Sequence, residues 1–188
     1  MTEFKELSKT HHIGLLHPRQ TILCSMKRHN QTNIITLAWT MIISRNPPII
    51  AISVAPERFS HDLIQKSGQF TINVPTKEII SDVFYCGSHT GRKVDKFQET
   101  NLTALEGISL DCPRIKECIA HLECKVLDEQ VYGDHTLFVG KVVACDGRSD
   151  ILKNDKTDTS QLEIPYHLTG RNFTFNQIGE RCFSIPRR

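Results

Sequence analysis

The 188-residue chain carries 23 Lys and Arg against 21 Asp and Glu, a formal charge of +2, with 39% apolar and 23% charged residues. That balance gives no basic field for nucleic acid and suits a folded globule rather than a disordered polyelectrolyte. No apolar run reaches the roughly 20 residues of a membrane span, and Met1 to Thr10 lacks an apolar signal core, so the expectation is a cytoplasmic protein with no membrane and no nucleic-acid partner.

In chain order, Thr21 to Lys27 reads as a strand, residues 28–32 as a polar turn and Asn33 to Ile43 as a second strand. Pro47-Pro48 precedes a third, Ile49 to Ala55, because proline cannot donate to a ladder. Ser60 then reads as a helix N-cap, with Phe59 and Ile64 placed as a hydrophobic staple and Ser67-Gly68 as the stop. Gln69 to Val74 alternates as a strand. Thr76 to Phe84 reads as a helix, Tyr85 to Gly91 as a loop and Arg92 to Phe97 as a helical turn. Residues 119–130 and 135–145 form two long β runs around Tyr132-Gly133-Asp134, a hairpin. Residues 146–156 read as a loop and 164–178 as irregular and aromatic. Strands outnumber helices and connections are short. A mainly β fold follows, a barrel or sandwich with appended helices, rather than a doubly wound parallel sheet.

The length fits one domain, 1–188, with its core at about 12–147 and a C-terminal segment at 148–188. Seven cysteines (Cys24, Cys86, Cys112, Cys118, Cys124, Cys145 and Cys182) make an odd count without a C-x-x-C pair, so reduced thiols are expected. Period two places Cys118, Ala120, Leu122 and Cys124 on one strand face as small hydrophobes, and no metal site is expected.

Between Asn33 and Ala55 the two strands pair a bulky face with a smaller one. Small residues there could underlie a packed helix, or could form a shelf on which a flat ring lies with main-chain groups at its polar edge. Arg58-Phe59-Ser60-His61 at the following helix start adds free N–H donors, a guanidinium and a hydroxyl, a set that suits an anion such as phosphate. A capped helix with a solvated Arg is the plainer account of the same residues.

The ordered pieces "NIITLAW", "NPPIIAISVAPERFSHDLI", "FTINVP", "YCGSHTGRKVDKF" and "YGDHTLFVGKV" resemble the flavoredoxin and flavin reductase-like family, the FMN-binding split-barrel flavoproteins. The resemblance spans Thr21 to about Ala144. It implies a six-stranded antiparallel split β-barrel, a homodimer with the C-terminal segment packed on the barrel or dimer, and FMN near the subunit interface. Carried over, Asn33, Ile34, Ile35 and Thr36 would line the flavin, partly by backbone, with Trp39 packed near it. Val54, Ala55, Arg58, Ser60 and His61 would hold the ribityl phosphate; Lys96 would reach the flavin or its phosphate, with Asp95 fixing its turn. His135 would orient the nicotinamide or a proton, and Phe173 would cover the flavin. Lys141 departs from the Glu the family often carries after the glycine of that strand, and Cys86 reads as a structural thiol. The implied activity is NAD(P)H-dependent hydride transfer to bound FMN, NAD(P)H being a transient co-substrate, with electrons passed to free flavin, a ferric complex or a protein. An electron carrier without nicotinamide turnover, or a non-catalytic flavin binder, would use the same cradle.

Overall fold

The computed structural model describes residues 2, 4–153, 156–159 and 162–176. Its main sheet has seven strands: β1 (Ile22–Arg28), β2 (Gln31–Leu37), β3 (Thr40–Ser44), β4 (Ile49–Val54), β5 (Gln69–Val74), β6 (Ala120–Tyr132) and β7 (His135–Gly147). All pairings are antiparallel, in the spatial order β2-β1-β5-β6-β7-β4-β3. Strands β2 and β3 are consecutive in the chain, separated only by Ala38 and Trp39, yet stand at opposite ends of this order. Two residues cannot cross the width of a flat sheet, so the sheet must curl until its ends meet, and the result is a barrel. The Ser53 amide donates to the Trp39 carbonyl at 3.0 Å across that corner.

The expected strand from Asn33 to Ile43 is therefore two strands, and the sheet has one strand more than the resemblance implies. The bend also breaks the alternation that would have put Ile35, Leu37, Trp39, Met41 and Ile43 on one face. Ile35 and Leu37 point into the barrel, whereas Met41 and Ile43 are exposed.

Besides a one-turn helix at His12–Leu15, three helices, α1 (Phe59–Ser67), α2 (Ile80–Ser88) and α3 (Lys96–Glu99), attach to this frame among the described residues. Helix α1 sends Leu63 and Ile64 into the barrel core, where they meet Met26, Phe70 and Phe138. All five are at most 1% exposed, and each contributes on the order of 2 kcal/mol of transfer free energy. Helix α2 covers the outer face of β1 and β2, where Val83 and Cys86 pack with Leu23 and Ile34. Both faces of β2 are thus buried, one by the barrel and one by the helix.

Helix ends differ from the sequence expectation. Arg58, with extended φ −73° and ψ 134°, precedes the first turn of α1, so Ser60 lies inside the helix rather than capping it. Gly68, at φ 67°, ends the helix as expected, its N–H donating to Ile64 O. Helix α2 follows a short turn at Lys77–Ile79 and continues through Tyr85, Cys86 and Gly87, residues expected in a loop. Asp95 caps α3, accepting from Phe97 N at 3.0 Å and Gln98 N at 3.4 Å.

Residues 165–175, expected as irregular, form a hairpin of β8 (Pro165–Thr169) and β9 (Asn172–Phe175), with β8 paired to the two-residue strand Arg19–Gln20. Cys118 packs beneath α2 while Cys124 lies in the barrel, so the two do not share a face. Cys182 lies outside the described residues. Among the described residues no helix is long and apolar enough to cross a membrane.

Candidate functional site

The barrel corner, α1, α2 and the tail hairpin enclose a cleft of about 740 Å³. Its floor is β2 and the corner, from Asn33 through Trp39, together with Ser53, Val54 and Ala55 at the exit of β4. Arg58, Phe59 and Ser60 form one end, and residues of α2 with the loop after it form a second wall. His167, Gly170, Arg171 and Phe173 of the hairpin lean over the opening.

Asn33 joins the floor to the helix end. Its Nδ2 donates to Ser60 Oγ at 2.8 Å, while its carboxamide oxygen is buried with no donor. A buried acceptor left unsatisfied costs about 1–3 kcal/mol, so this oxygen is an unmet demand at the junction of β2 with the Gly91 loop. Thr21 Oγ1, in the cleft wall, is likewise buried and unpartnered. Gly91 lies against Asn33: a Cβ there would stand 2.2 Å from Asn33 Oδ1. Thr36 is held instead by α2, its hydroxyl donating to Val83 O at 2.5 Å.

Charge in the cleft is lopsided. Arg58, Lys96 and Arg171 line it against one carboxylate, Glu57. Lys96 is only 4% exposed, and its Nζ donates to Ile34 O at 2.5 Å and Cys86 O at 2.6 Å. Burial lowers its pKa to about 8; the neighbouring Cys86 opposes that shift and Arg58 adds to it. The Cys86 thiol is pushed up to about 12 by its own burial, so it is a neutral wall residue. The Glu57 carboxylate stands 3.5 Å from Arg58 Nε, and Arg92 donates to Glu57 O at 3.2 Å while its guanidinium lies over the Phe59 ring.

At the other side of the floor, His135 packs on Trp39, ring centroids 4.6 Å apart and tilted 37°. His135 Nδ1 is 2.8 Å from Asp134 Oδ1. That contact assigns the hydrogen to Nδ1 and leaves Nε2 as the free ring nitrogen. The pairing also holds the Asp134 carboxyl below its ordinary range.

Asn33, Ile35, Thr36, Trp39, Val54, Ala55, Arg58, Ser60, Lys96, His135 and Phe173 therefore line one cleft. Two expected residues do not. The Ile34 side chain is buried on the opposite face, under α2, and its carbonyl faces Lys96. His61 turns inward, with Nε2 2.8 Å from Thr136 Oγ1 and its ring against Phe138; burial lowers its pKa. Thr21, Ser53, Gly91, His167 and Arg171 are cleft residues that sequence reasoning missed. The YCGSHTG stretch was expected as a loop, not as a cleft wall; of the hairpin only Phe173 was expected here, through the resemblance, and nothing local marked Thr21 as part of the cleft.

A family model described as the flavin reductase like domain matches residues 15–173. An uncharacterized protein of Archaeoglobus fulgidus is 35% identical over 161 residues, covering 86% of this chain and 90% of its own. Among solved structures, an FMN-binding protein from Thermus thermophilus superposes with a TM-score of 0.86 at 24% identity, covering 98% of this chain and 100% of its own. A flavoredoxin from Methanosarcina acetivorans superposes at 0.85 with 23% identity, covering 97% of this chain and 95% of its own.

Proposed function

The chain belongs to the flavin reductase-like family, and we propose that its cleft holds FMN and that the protein is an NAD(P)H-dependent oxidoreductase passing electrons to free flavin, a ferric complex or a protein acceptor. The observation that carries this reading is the shape and charge of the cleft: about 740 Å³ over a floor of β2 and Trp39, with a cationic end at Arg58 beside the first turn of α1. A flat ring system joined to a phosphate satisfies both features. FMN has that form and, when bound, supplies the hydride-accepting and electron-donating chemistry.

The residues present fit that group. Arg58, Ser60 and the N-terminal turn of α1 would take the phosphate, where free N–H groups and the helix dipole favour an anion. Val54 and Ala55 lie beside them at the end of β4. Ile35, Thr36 and Trp39 would wall the ring, and Phe173 would close over it. Lys96 would place a positive charge beneath the site while holding the Ile34 and Cys86 carbonyls in place. His135, with Nε2 free, would orient the nicotinamide of NAD(P)H or hold a proton there. His61 would support the phosphate end from behind, through α1, without touching it.

Assembly and location complete the proposal. The edge strand β3 exposes Met41 and Ile42, and the N-terminal segment exposes Leu15 and Leu16. Apolar exposure of this kind supports a second copy of the chain, and the proposed homodimer is placed in the cytoplasm.

A visible spectrum of the purified protein followed by anaerobic titration with NADH and NADPH tests this reading. Flavin absorbance that bleaches with either nucleotide is the expected result. Reduction only by a redox protein, with neither nucleotide active, would assign an electron carrier. A protein that takes up no FMN would remove the flavin reading altogether.

A further inference from the structure

Arg171 stands apart from the other cations of the cleft. It follows Gly170 at the tip of the β8–β9 hairpin, just inside the Thr169–Asn172 pair. Its guanidinium lies 5.5 Å from the centroid of the Phe84 ring on α2. Among the described residues it has no carboxylate partner, whereas Arg58 has Glu57 beside it and Lys96 is bonded to two carbonyls. The hairpin that carries it is tied down at its base. Thr21 N donates to Pro165 O at 2.9 Å, Lys77 N donates to Glu163 O at 2.9 Å, and Lys77 Nζ bonds the Glu163 carboxylate. Packing on Phe84 orients the guanidinium plane and leaves its N–H groups free for an oxyanion.

The Arg58 end already matches one phosphate, so Arg171, exposed on the hairpin rim, is left for a different ligand. This sequence has no P-loop and no G-x-G-x-x-G segment to hold a dinucleotide's phosphates. Those phosphates must find their cation on the rim of the flavin cleft. We propose that Arg171 binds a phosphate oxyanion of the dinucleotide co-substrate and thereby sets the protein's affinity for NADH or NADPH, separately from the Arg58–Ser60 end that takes the flavin phosphate. The assignment rests on the flavin reading above and adds to it the residue that recognises the hydride donor.

The test compares FMN-loaded wild type with Arg171→Ala and Arg171→Lys. Three quantities are measured: the FMN dissociation constant by fluorescence quenching, KM for NADH and NADPH, and KM for 1-benzyl-1,4-dihydronicotinamide, a hydride donor without phosphate. In R171A, KM for the better dinucleotide rises about tenfold, the scale of one charge-assisted hydrogen bond. R171K recovers part of that loss, and KM for the phosphate-free donor stays within about twofold of wild type, inside the few tenths of a kcal/mol expected of a surface change. An equal rise for both donors would make Arg171 a packing residue of the hairpin and overturn the proposal. So would a parallel loss of FMN, which would place it in the flavin site, or no change for either donor. A wild-type protein that binds FMN but is reduced by neither dinucleotide would overturn this assignment while leaving FMN binding intact. One that binds no FMN would remove the flavin reading as well.

Discussion

Asn33 and Ser60 are joined by a 2.8 Å bond in which the strand's carboxamide donates to the helix hydroxyl. The bond fixes β2 against the first turn of α1 and leaves the other carboxamide atom, the unpartnered oxygen, buried against Gly91. Replacing Asn33 with Ala removes the bond that sets the phosphate end of the cleft, so FMN is expected to bind about tenfold more weakly, with stability lowered by about 1 kcal/mol. Fluorescence titration and urea unfolding separate the two effects. Unchanged FMN affinity would show that the Asn33–Ser60 bond does not set the phosphate end.

Gly91 tests the same spot from the opposite side. A methyl at this position would stand 2.2 Å from Asn33 Oδ1 and 3.0 Å from the Phe59 ring, so Asn33 must move. Gly91→Ala should therefore weaken FMN at least as much as Asn33→Ala does. The double variant should lose little more than either single one, because both act through one side chain. Additive losses would contradict that shared cause.

Lys96 makes a prediction about pH. Its pKa in the fold is about 8, below its ordinary 10.5, because burial disfavours the charged form. Between these values the unfolded chain holds more protons, so the ligand-free protein should gain stability as pH rises from about 8 toward 10.5, relative to Lys96→Met. An anion in the cleft favours the protonated amine, so its binding takes up a proton and FMN affinity should fall as pH rises above about 8. Chemical unfolding and FMN titration over pH 7 to 10 check both signs; flat, parallel curves for wild type and K96M would refute them.

His135 should separate hydride delivery from flavin retention. It contacts Trp39 and Asp134 at the lip, away from the Arg58 end. His135→Ala should slow anaerobic reduction by the preferred nucleotide about tenfold or more, the low end of proton-positioning effects. The FMN dissociation constant should shift much less than the rate. Stopped-flow absorbance measures the rate, and a loss of FMN matching the loss of rate would count against this role.

Glu123 offers a check on the frame. Fully buried in β6, its carboxylate accepts from Ile108 N, Ser109 N and Leu110 N at 2.5, 2.8 and 2.9 Å. Glu123→Ala leaves those amides without their acceptor and should cost roughly 2–4 kcal/mol in urea unfolding. A cost under about 0.5 kcal/mol, the surface range, would mean that water replaces the carboxylate freely.

Strand content was legible because burial on two faces writes itself into β1, β4 and β5 as period two or as continuous apolar runs. The corner at Ala38–Trp39 was not. No Gly or Pro marks it, and the apolar alternation runs straight through; barrel closure bends the chain there. Ser60 has the chemistry of a cap, but Asn33 claims its hydroxyl, a contact across 27 residues that no local pattern records. Gly87 reads as a helix breaker, yet it is helical because α2 presses to within a methyl of Thr36: a Cβ there would lie 3.1 Å from Thr36 Cβ. The β2, β4 and α1 parts of the cleft were readable because they follow one another in the chain. Of its hairpin wall only Phe173 was expected, through the resemblance, since residues near 170 are brought to β2 by long-range ties such as the pairing of β8 with Arg19–Gln20 and the bond from Thr21 N to Pro165 O.

The turn at Ala38–Trp39 is at once the seam that shuts the barrel and a wall of the cavity. A molecule seated against Trp39 therefore braces the joint as well as filling space. Occupancy should be felt along β3, an edge strand held by β4 alone, as slower amide exchange from Thr40 to Ser44, so that cofactor loss and seam loosening become one event.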